Sequence, residues 1–272
     1  MNALDKKIQS AIHLIRTLDG MEPELGYSGG KDSDVILTLA QMSGIKFHPI
    51  YKMTTIDPPG TLAHVKSKGI EIVKPKITFF HLIEKRGFPS RFARFCCSEL
   101  KEYKILDKSI LGIRSQESTR RRRMYKEPSA CRIYKDKSRV EQFFPILNWT
   151  NADVEEFVNH FAIPCHPLYY DENGKFVVSC RLGCMGCPVS ANRGINDFRK
   201  YPKLVRQWIR AGKVWWESKD NLKVKTYCSD IYELFVLRTF HDSISEMALN
   251  KESLFQTDWK AELENYFKID LP

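Results

Sequence analysis

Tyr27-Ser28-Gly29-Gly30-Lys31-Asp32-Ser33 combines the residue types that hold an oxyanion. Two adjacent glycines let the backbone turn tightly and bring its N–H groups against a negative ligand, and a helix that follows adds its positive end. Lys31 supplies a full charge, while Ser28 and Ser33 supply hydroxyl donors. Asp32 would repel a phosphate unless it holds Mg²⁺ or orients the loop. The spacing is not the Gly-x-x-x-x-Gly-Lys of a Walker loop.

A second constellation is made of sulfur. Cys96 and Cys97 are adjacent, and Cys184-Met185-Gly186-Cys187 follows after 86 intervening residues. Two cysteines separated by two residues, with glycine between them, suit a hairpin whose thiolates face one metal. Four sulfurs can bind zinc or an iron–sulfur cluster. Neighbouring ligands strain a single tetrahedral zinc but can bind different irons of a cluster. Cys180 is an alternative to Cys96 as fourth ligand. Cys131, Cys165 and Cys228 have no ligand or nucleophile pattern around them.

The run from Ser28 to Ser33 resembles the PP-loop, the S-G-G-K-D-S signature of ATP pyrophosphatases and of phosphoadenosine-phosphosulfate (PAPS) reductases. Thr54-Thr55-Ile56-Asp57-Pro58-Pro59 is similar to the reductase family's T-T-x-D-P-P segment, and Arg94 to Lys101 to its R-x-C-C-x-x-L-K segment. Gly112-Ile113-Arg114 with Glu117-Ser118 resembles G-x-R-x-x-E-S. Trp149-Thr150 with Asp153-Val154 resembles W-T-x-x-D-V. The likeness covers about residues 20–210.

It implies that Ser28, Gly29, Gly30, Lys31, Asp32 and Ser33 hold the pyrophosphate, sulfate or phosphate of an adenine nucleotide. Arg114 would pair with the same anionic end through its planar guanidinium. Lys31, Asp32 and Arg114 are thereby the catalytic candidates. Asp57 is either a further nucleotide contact or a helix cap beside two prolines. Cys96, Cys97, Cys184 and Cys187 resemble the 4Fe–4S motif of the family's adenylylsulfate reductases, with zinc as the alternative.

One family feature is missing. Sulfonucleotide reductases carry a nucleophilic cysteine in a C-terminal E-C-G-L-H motif, and this chain has none. Without an activated thiolate, covalent capture of sulfur has no nucleophile. Three functions follow. One keeps the family's reduction of PAPS or adenylylsulfate, with Cys228 or a thioredoxin-like partner supplying the thiol. The second uses ATP and Mg²⁺ to insert sulfur from a donor protein into DNA or tRNA, as the similar phosphorothioation and thiolation enzymes do. The third is a non-catalytic nucleotide- or nucleic-acid-binding module.

The elements that would position these residues alternate. Helical spacing over 3–18 precedes a strand at 24–28, a helix at 31–42, and strands at 46–54, 71–74 and 109–114. Alternation of this kind predicts an α/β fold with a doubly wound, mainly parallel sheet, adenine nucleotide alpha hydrolase-like by the PP-loop resemblance. Ligands of such sheets bind at the carboxyl ends of the strands. Residues 115–139 read as a polar, basic loop. A strand at 140–147 follows, then a helix capped by Thr150, with Asp153 in its first turn, running to Phe161. Pro164 and Pro167 end it. One helix is expected around 196–211, with a soft boundary near 215 dividing a PP-loop domain (1–215) from a mostly helical extension (216–272).

Composition sets the remaining bounds. With 43% apolar residues among 272, the chain can bury a sizeable core and is neither disordered nor collagen-like. The N-terminus lacks the apolar run of a signal peptide, and no stretch approaches a membrane span, so a cytoplasmic protein with reduced thiols and no membrane partner is expected. The net charge is +10, and residues 112–139 alone carry +7. That stretch holds Arg120, Arg121, Arg122, Arg123 and Lys126. Lys200, Lys203, Arg206, Arg210 and Lys213 recur at near-helical spacing opposite Leu204, Trp208, Ala211 and Trp215. Both clusters suit an anionic partner.

Overall fold

The computed structural model describes residues 2–190, 194–218, 223–240 and 257–272. In chain order the elements are α1 (Ala3–Arg16), β1 (Glu24–Tyr27), α2 (Lys31–Ser43), β2 (His48–Lys52), α3 (Thr61–Ser67), β3 (Glu71–Val73), α4 (Phe79–Arg86) and α5 (Phe95–Leu100). They continue through β4 (Lys108–Leu111), α6 (Thr119–Met124), β5 (Ser129–Ile133), β6 (Arg139–Phe143) and α7 (Asn151–His160). The last are α8 (Ile195–Lys200), α9 (Pro202–Glu217), α10 (Ile231–Phe240) and α11 (Trp259–Phe267).

The six strands form one sheet in the order β3-β2-β1-β4-β6-β5. Four of the five pairings are parallel, and only β5 runs antiparallel to β6. The expected doubly wound, mainly parallel α/β architecture is the one observed. β1 lies between β2 and β4, with Glu24 opposite both His48 and Ser109. The chain order reverses there. That reversal leaves a crevice beyond the carboxyl ends of β1 and β4, where ligands of open α/β sheets bind. The residues delivered to it are Ser28–Ser33 after β1 and Gly112–Arg114 after β4.

Local chemistry sets the element ends. Asn2 and Asp5 form a capping box on α1, and Thr150 and Asp153 form another on α7, as the sequence predicts. α2 ends at Gly44, whose left-handed backbone closes the last turn.

Two expectations are corrected. Residues 115–139 are not a loop: they contain the short helix α6 and the antiparallel hairpin β5–β6. Ser118 caps α6 by accepting from the Arg121 N–H, and Lys137 takes the left-handed conformation the hairpin turn requires. The helix expected at 196–211 is two helices. Tyr201 leaves the helical region, and Pro202 starts α9 at a position where its missing N–H costs nothing.

The described chain divides into two compact units. The first comprises residues 1–53, 57–74 and 101–182 and holds the whole sheet. Its core packs Ile8, Ile12 and Ile15 of α1 with Val35, Ile36 and Leu39 of α2, Leu25 of β1 and Phe157 of α7. The second comprises residues 54–56, 75–100 and 183–272. Its core is aromatic, with Trp208 of α9 among Phe79, Phe88, Phe198 and Phe235. Leu204, Trp208 and Ala211 are buried there, and Trp215 packs at the edge. No described helix is long and apolar enough to cross a membrane.

Candidate functional site

In the sheet unit, β1 ends in Ser28-Gly29-Gly30, and α2 begins at Lys31. Gly29 has φ +77°, a left-handed conformation, and an added Cβ would lie 3.2 Å from Thr61 Cγ2 and 3.3 Å from Leu182 Cδ2. Both the conformation and the space favour glycine. Gly30 is the N-cap, and its carbonyl accepts from the Ser33 N–H at 2.9 Å, the Asp34 N–H at 3.0 Å and Ser33 Oγ at 2.6 Å. Ser28 Oγ donates to Ser33 Oγ at 3.3 Å. The loop is thus held as a turn opening onto the start of a helix 13 residues long.

Lys31 is buried. Its Nζ donates to the Cys180 carbonyl at 3.3 Å, pairs with Asp32 Oδ2 at 3.5 Å and lies over the Tyr169 ring. Burial lowers its pKa, while Asp32 opposes the shift. Arg114, only 2% exposed, donates Nε to Asp32 Oδ1 at 2.6 Å and Nη1 to Asn151 Oδ1 at 3.0 Å. Asp32 therefore stands between two cations, which cancels its repulsion for an anion and fixes its rotamer. The question the sequence left open, what makes an aspartate tolerable in this loop, has this answer in the sheet unit.

A feature the sequence did not single out is the grouping of Arg121 and Arg181 on Glu117. The Glu117 carboxylate pairs with Arg121 and with Arg181 Nη2 at 3.1 Å, and accepts from the Arg114 backbone N–H at 3.2 Å. Burial and the neighbouring Arg181 lower the pKa of Arg121. Lys31, Arg114, Arg121 and Arg181 lie within electrostatic reach of one another or of Asp32. Arg121 was visible only as one of a run, and Arg181 had no signal beyond its position beside the cysteine motif.

Beneath the loop lies a buried polar network. Tyr27 OH donates to Asp34 Oδ1 at 2.5 Å, and His64 Nε2 is 3.1 Å from the same oxygen. Lys68 Nζ is 3.9 Å away. Burial and Asp34 push up the thiol pKa of Cys165, which keeps it protonated and unsuited to nucleophilic attack. Asp57 is half-buried between β2 and α3, and the cap of α3 is Gly60 rather than Asp57.

The helical unit contains the four candidate thiols. A hydrogen bond with Cys97, and next burial, raise the thiol pKa of Cys96; Cys184 and Cys187 add to the effect, so all four belong to one neighbourhood. Arg94 Nη2 approaches Cys97 Sγ at 3.6 Å, and Cys184 Sγ approaches Thr54 Oγ1 at 3.6 Å. Gly186, at φ +69°, turns the Cys-x-x-Cys segment; a Cβ there would lie 2.6 Å from Phe198. The donors are of the right type and number for a cluster. As the side chains stand, no group of three among the described residues is gathered closely enough to hold a metal ion. None of the eight cysteines is joined in a disulfide. Cys228 is 1% exposed in the aromatic core, so the thiol proposed from the sequence as a reductant does not reach solvent.

A glycine-rich anion loop at the switch point of a doubly wound parallel sheet defines a PP-loop type of α/β protein. Residues 22–190 match the phosphoadenosine phosphosulfate reductase domain family, and the chain belongs to that family. It is 28% identical over 211 residues to an uncharacterised protein of Methanocaldococcus jannaschii, covering 72% of this chain and 49% of that one. It is 26% identical over 153 residues to the adenosine 5'-phosphosulfate reductase of Neisseria meningitidis, covering 52% and 53% of the two chains. The chain thus spans about half the length of these curated relatives. The PAPS reductase of Candida auris, solved as a phosphate complex, aligns over 62% of this chain and 91% of its own at 18% identity, with a TM-score of 0.45.

Proposed function

We propose that this protein binds the anionic end of an adenine nucleotide at Ser28–Ser33 and uses it for sulfur chemistry by group transfer rather than by reduction through a thiol of its own. The observation that carries the binding reading is the pairing of Asp32 with Arg114 and Lys31. It turns a mixed-charge loop into a net cationic one at a helix N-terminus.

With ATP, an acceptor oxygen attacks the α-phosphorus and the bond to pyrophosphate breaks. Sulfide then displaces AMP from the acceptor, with no net oxidation or reduction. Lys31, Arg121, Arg181 and the loop N–H groups stabilise the charge that grows on the departing pyrophosphate. Mg²⁺ would accompany the nucleotide.

The burial of Cys228 and the protonated state of Cys165 support transfer over self-contained reduction. The family membership and the adenosine 5'-phosphosulfate reductases among the relatives support the second reading, in which a thioredoxin-like partner brings the thiol. The proposal includes a 4Fe–4S cluster on Cys96, Cys97, Cys184 and Cys187, supported by the shared neighbourhood of the thiols and by the adjacent pair, which suits two irons better than one zinc. Such a cluster, if redox-active, would supply single electrons.

The test incubates anaerobic protein with ATP, sulfide and DNA or tRNA as acceptor, and separately with PAPS plus thioredoxin. AMP and pyrophosphate from the first are expected. Sulfite from the second, with ATP untouched, would replace the transfer reading by the reductive one. Visible absorbance lost in Cys184→Ser/Cys187→Ser is expected of the cluster. A colourless protein with stoichiometric zinc would refute it.

A further inference from the structure

Arg114 lies inside the anion site, but the chain that follows it turns outward. On α6, Arg121 points back to Glu117, whereas Arg120, Arg122 and Arg123 are exposed. Lys126, just before β5, Lys137, in the hairpin turn, and Arg139, at the start of β6, are exposed. Among the described residues, none of these six side chains has an ion pair. Of the acids in 112–139, Glu117 is committed to Arg121 and Arg181, and Asp136 is bonded to Ser138, leaving Glu127. β5, five residues long, spans about 17 Å. That is the length of roughly five phosphates along one strand of a duplex at about 3.4 Å per step.

We propose that α6 and the β5–β6 hairpin form a track for a nucleic-acid backbone, and that nucleic acid is the acceptor substrate served by the nucleotide site. This deepens the transfer reading and rests on it for the reaction, though not for the binding. Three exposed guanidiniums on one short helix suit phosphodiesters, which accept their planar forks two bonds at a time. A membrane surface fits less well. α6 has six residues, too few to lay an apolar face into headgroups, and Met124 and Ile133 are the large apolar side chains exposed there. The track is also covalently continuous with the site: four residues separate Arg114, on Asp32, from Thr119 at the start of α6.

The experiment measures binding of a labelled DNA duplex and of the matching single-stranded DNA and RNA to the full chain between about 50 and 200 mM salt. With three to five phosphates engaged, log K should fall against log salt with a slope of about −3 to −4.5. In Arg120→Gln/Arg122→Gln/Arg123→Gln the slope should be shallower by about 2 to 3, with pyrophosphate affinity unchanged. Lys203→Gln/Arg210→Gln, on α9, should leave the slope as it was. The proposal is overturned if no form of nucleic acid binds at low salt, if the α6 variant keeps the full slope, or if the α9 variant loses as much. Binding to anionic vesicles but not to nucleic acid would also overturn it. If the track binds polymer while ATP stays intact, the transfer reaction fails and the binding surface stands.

Discussion

The sharpest consequence of the site concerns Arg114. Family resemblance makes it a direct ligand of the nucleotide's anionic end. In the sheet unit its guanidinium is instead committed to Asp32 at 2.6 Å and Asn151 at 3.0 Å. If its task is to cancel Asp32, Arg114→Ala leaves Asp32 with Lys31 alone and restores one unit of negative charge facing the ligand. At a separation of about 5 Å and an effective dielectric near 20, one unit of like charge costs about 3 kcal/mol, roughly a hundredfold in Kd. The decisive variant is Asp32→Asn/Arg114→Ala, which removes both charges. Titration calorimetry with pyrophosphate, free of Mg²⁺, should show Arg114→Ala weakened by about a hundredfold and the double variant restored by tenfold or more. Asp32→Asn alone should bind pyrophosphate at least as well as the wild type. Thermal unfolding must accompany these titrations, because a largely buried carboxylate left with one of its two cationic partners, Lys31, also destabilises the fold, by up to about 3 kcal/mol. A double variant as weak as Arg114→Ala would show that the guanidinium binds the anion itself, and the neutralisation argument would be wrong.

Gly29→Ala should lower stability by about 1–2 kcal/mol, because its φ of +77° puts a Cβ against the following carbonyl; an unchanged urea midpoint would count against the turn geometry. His166 should give the fold an acid-side weakness. Burial, and next the neighbouring His64, lower its pKa, and its Nδ1 accepts from the Leu168 N–H at 3.1 Å, which requires the unprotonated nitrogen. The unfolded chain therefore takes up this proton more readily than the folded one. Stability is full above the ordinary value of 6.5 and falls as pH drops from there toward the lowered folded pKa. Urea melts across pH 5 to 8 should show a shallower acid-side loss in His166→Gln, and equal slopes would refute the assignment.

What the sequence made legible was local. The strand–glycine–helix pattern around Ser28 located the loop, and Thr150 with Asp153 located the start of α7, since each signal sits within a few residues of its effect. Tyr201-Pro202 also carried its signal, a proline suited to a helix start, but the continuous apolar spacing of Leu204, Trp208 and Ala211 hid the break. β5 was illegible for a different reason. Ser-Ala-Cys-Arg-Ile has little alternation, because an edge strand with exposed residues gains its order from pairing with β6 rather than from burying a face. The partners of Asp32 and Glu117 were out of reach altogether. Arg114 is 82 residues from Asp32 and Arg181 is 64 from Glu117; the sheet order brings the first pair together, and the packing of the segment after α7 brings the second.

Charge bookkeeping at the site narrows the class of ligand. Lys31, Arg114, Arg121 and Arg181 bring four positive charges, and Asp32 and Glu117 bring two negative ones, each already spent on a guanidinium. The carboxylates cost the site attraction, yet they hold the cations in place before a ligand arrives, so little reorganisation is required when negative charge appears. Two positive charges remain. A monoanion would leave the site partly uncompensated in a half-buried setting, whereas a pyrophosphate or phosphosulfate group brings the two or more charges that balance it. The same arithmetic applies to the arginines outside the site: with Glu117 and Asp136 engaged, Glu127 is the one acid left in their stretch of chain for Arg120, Arg122 and Arg123, and a polyanion is the partner that supplies several negative charges at once.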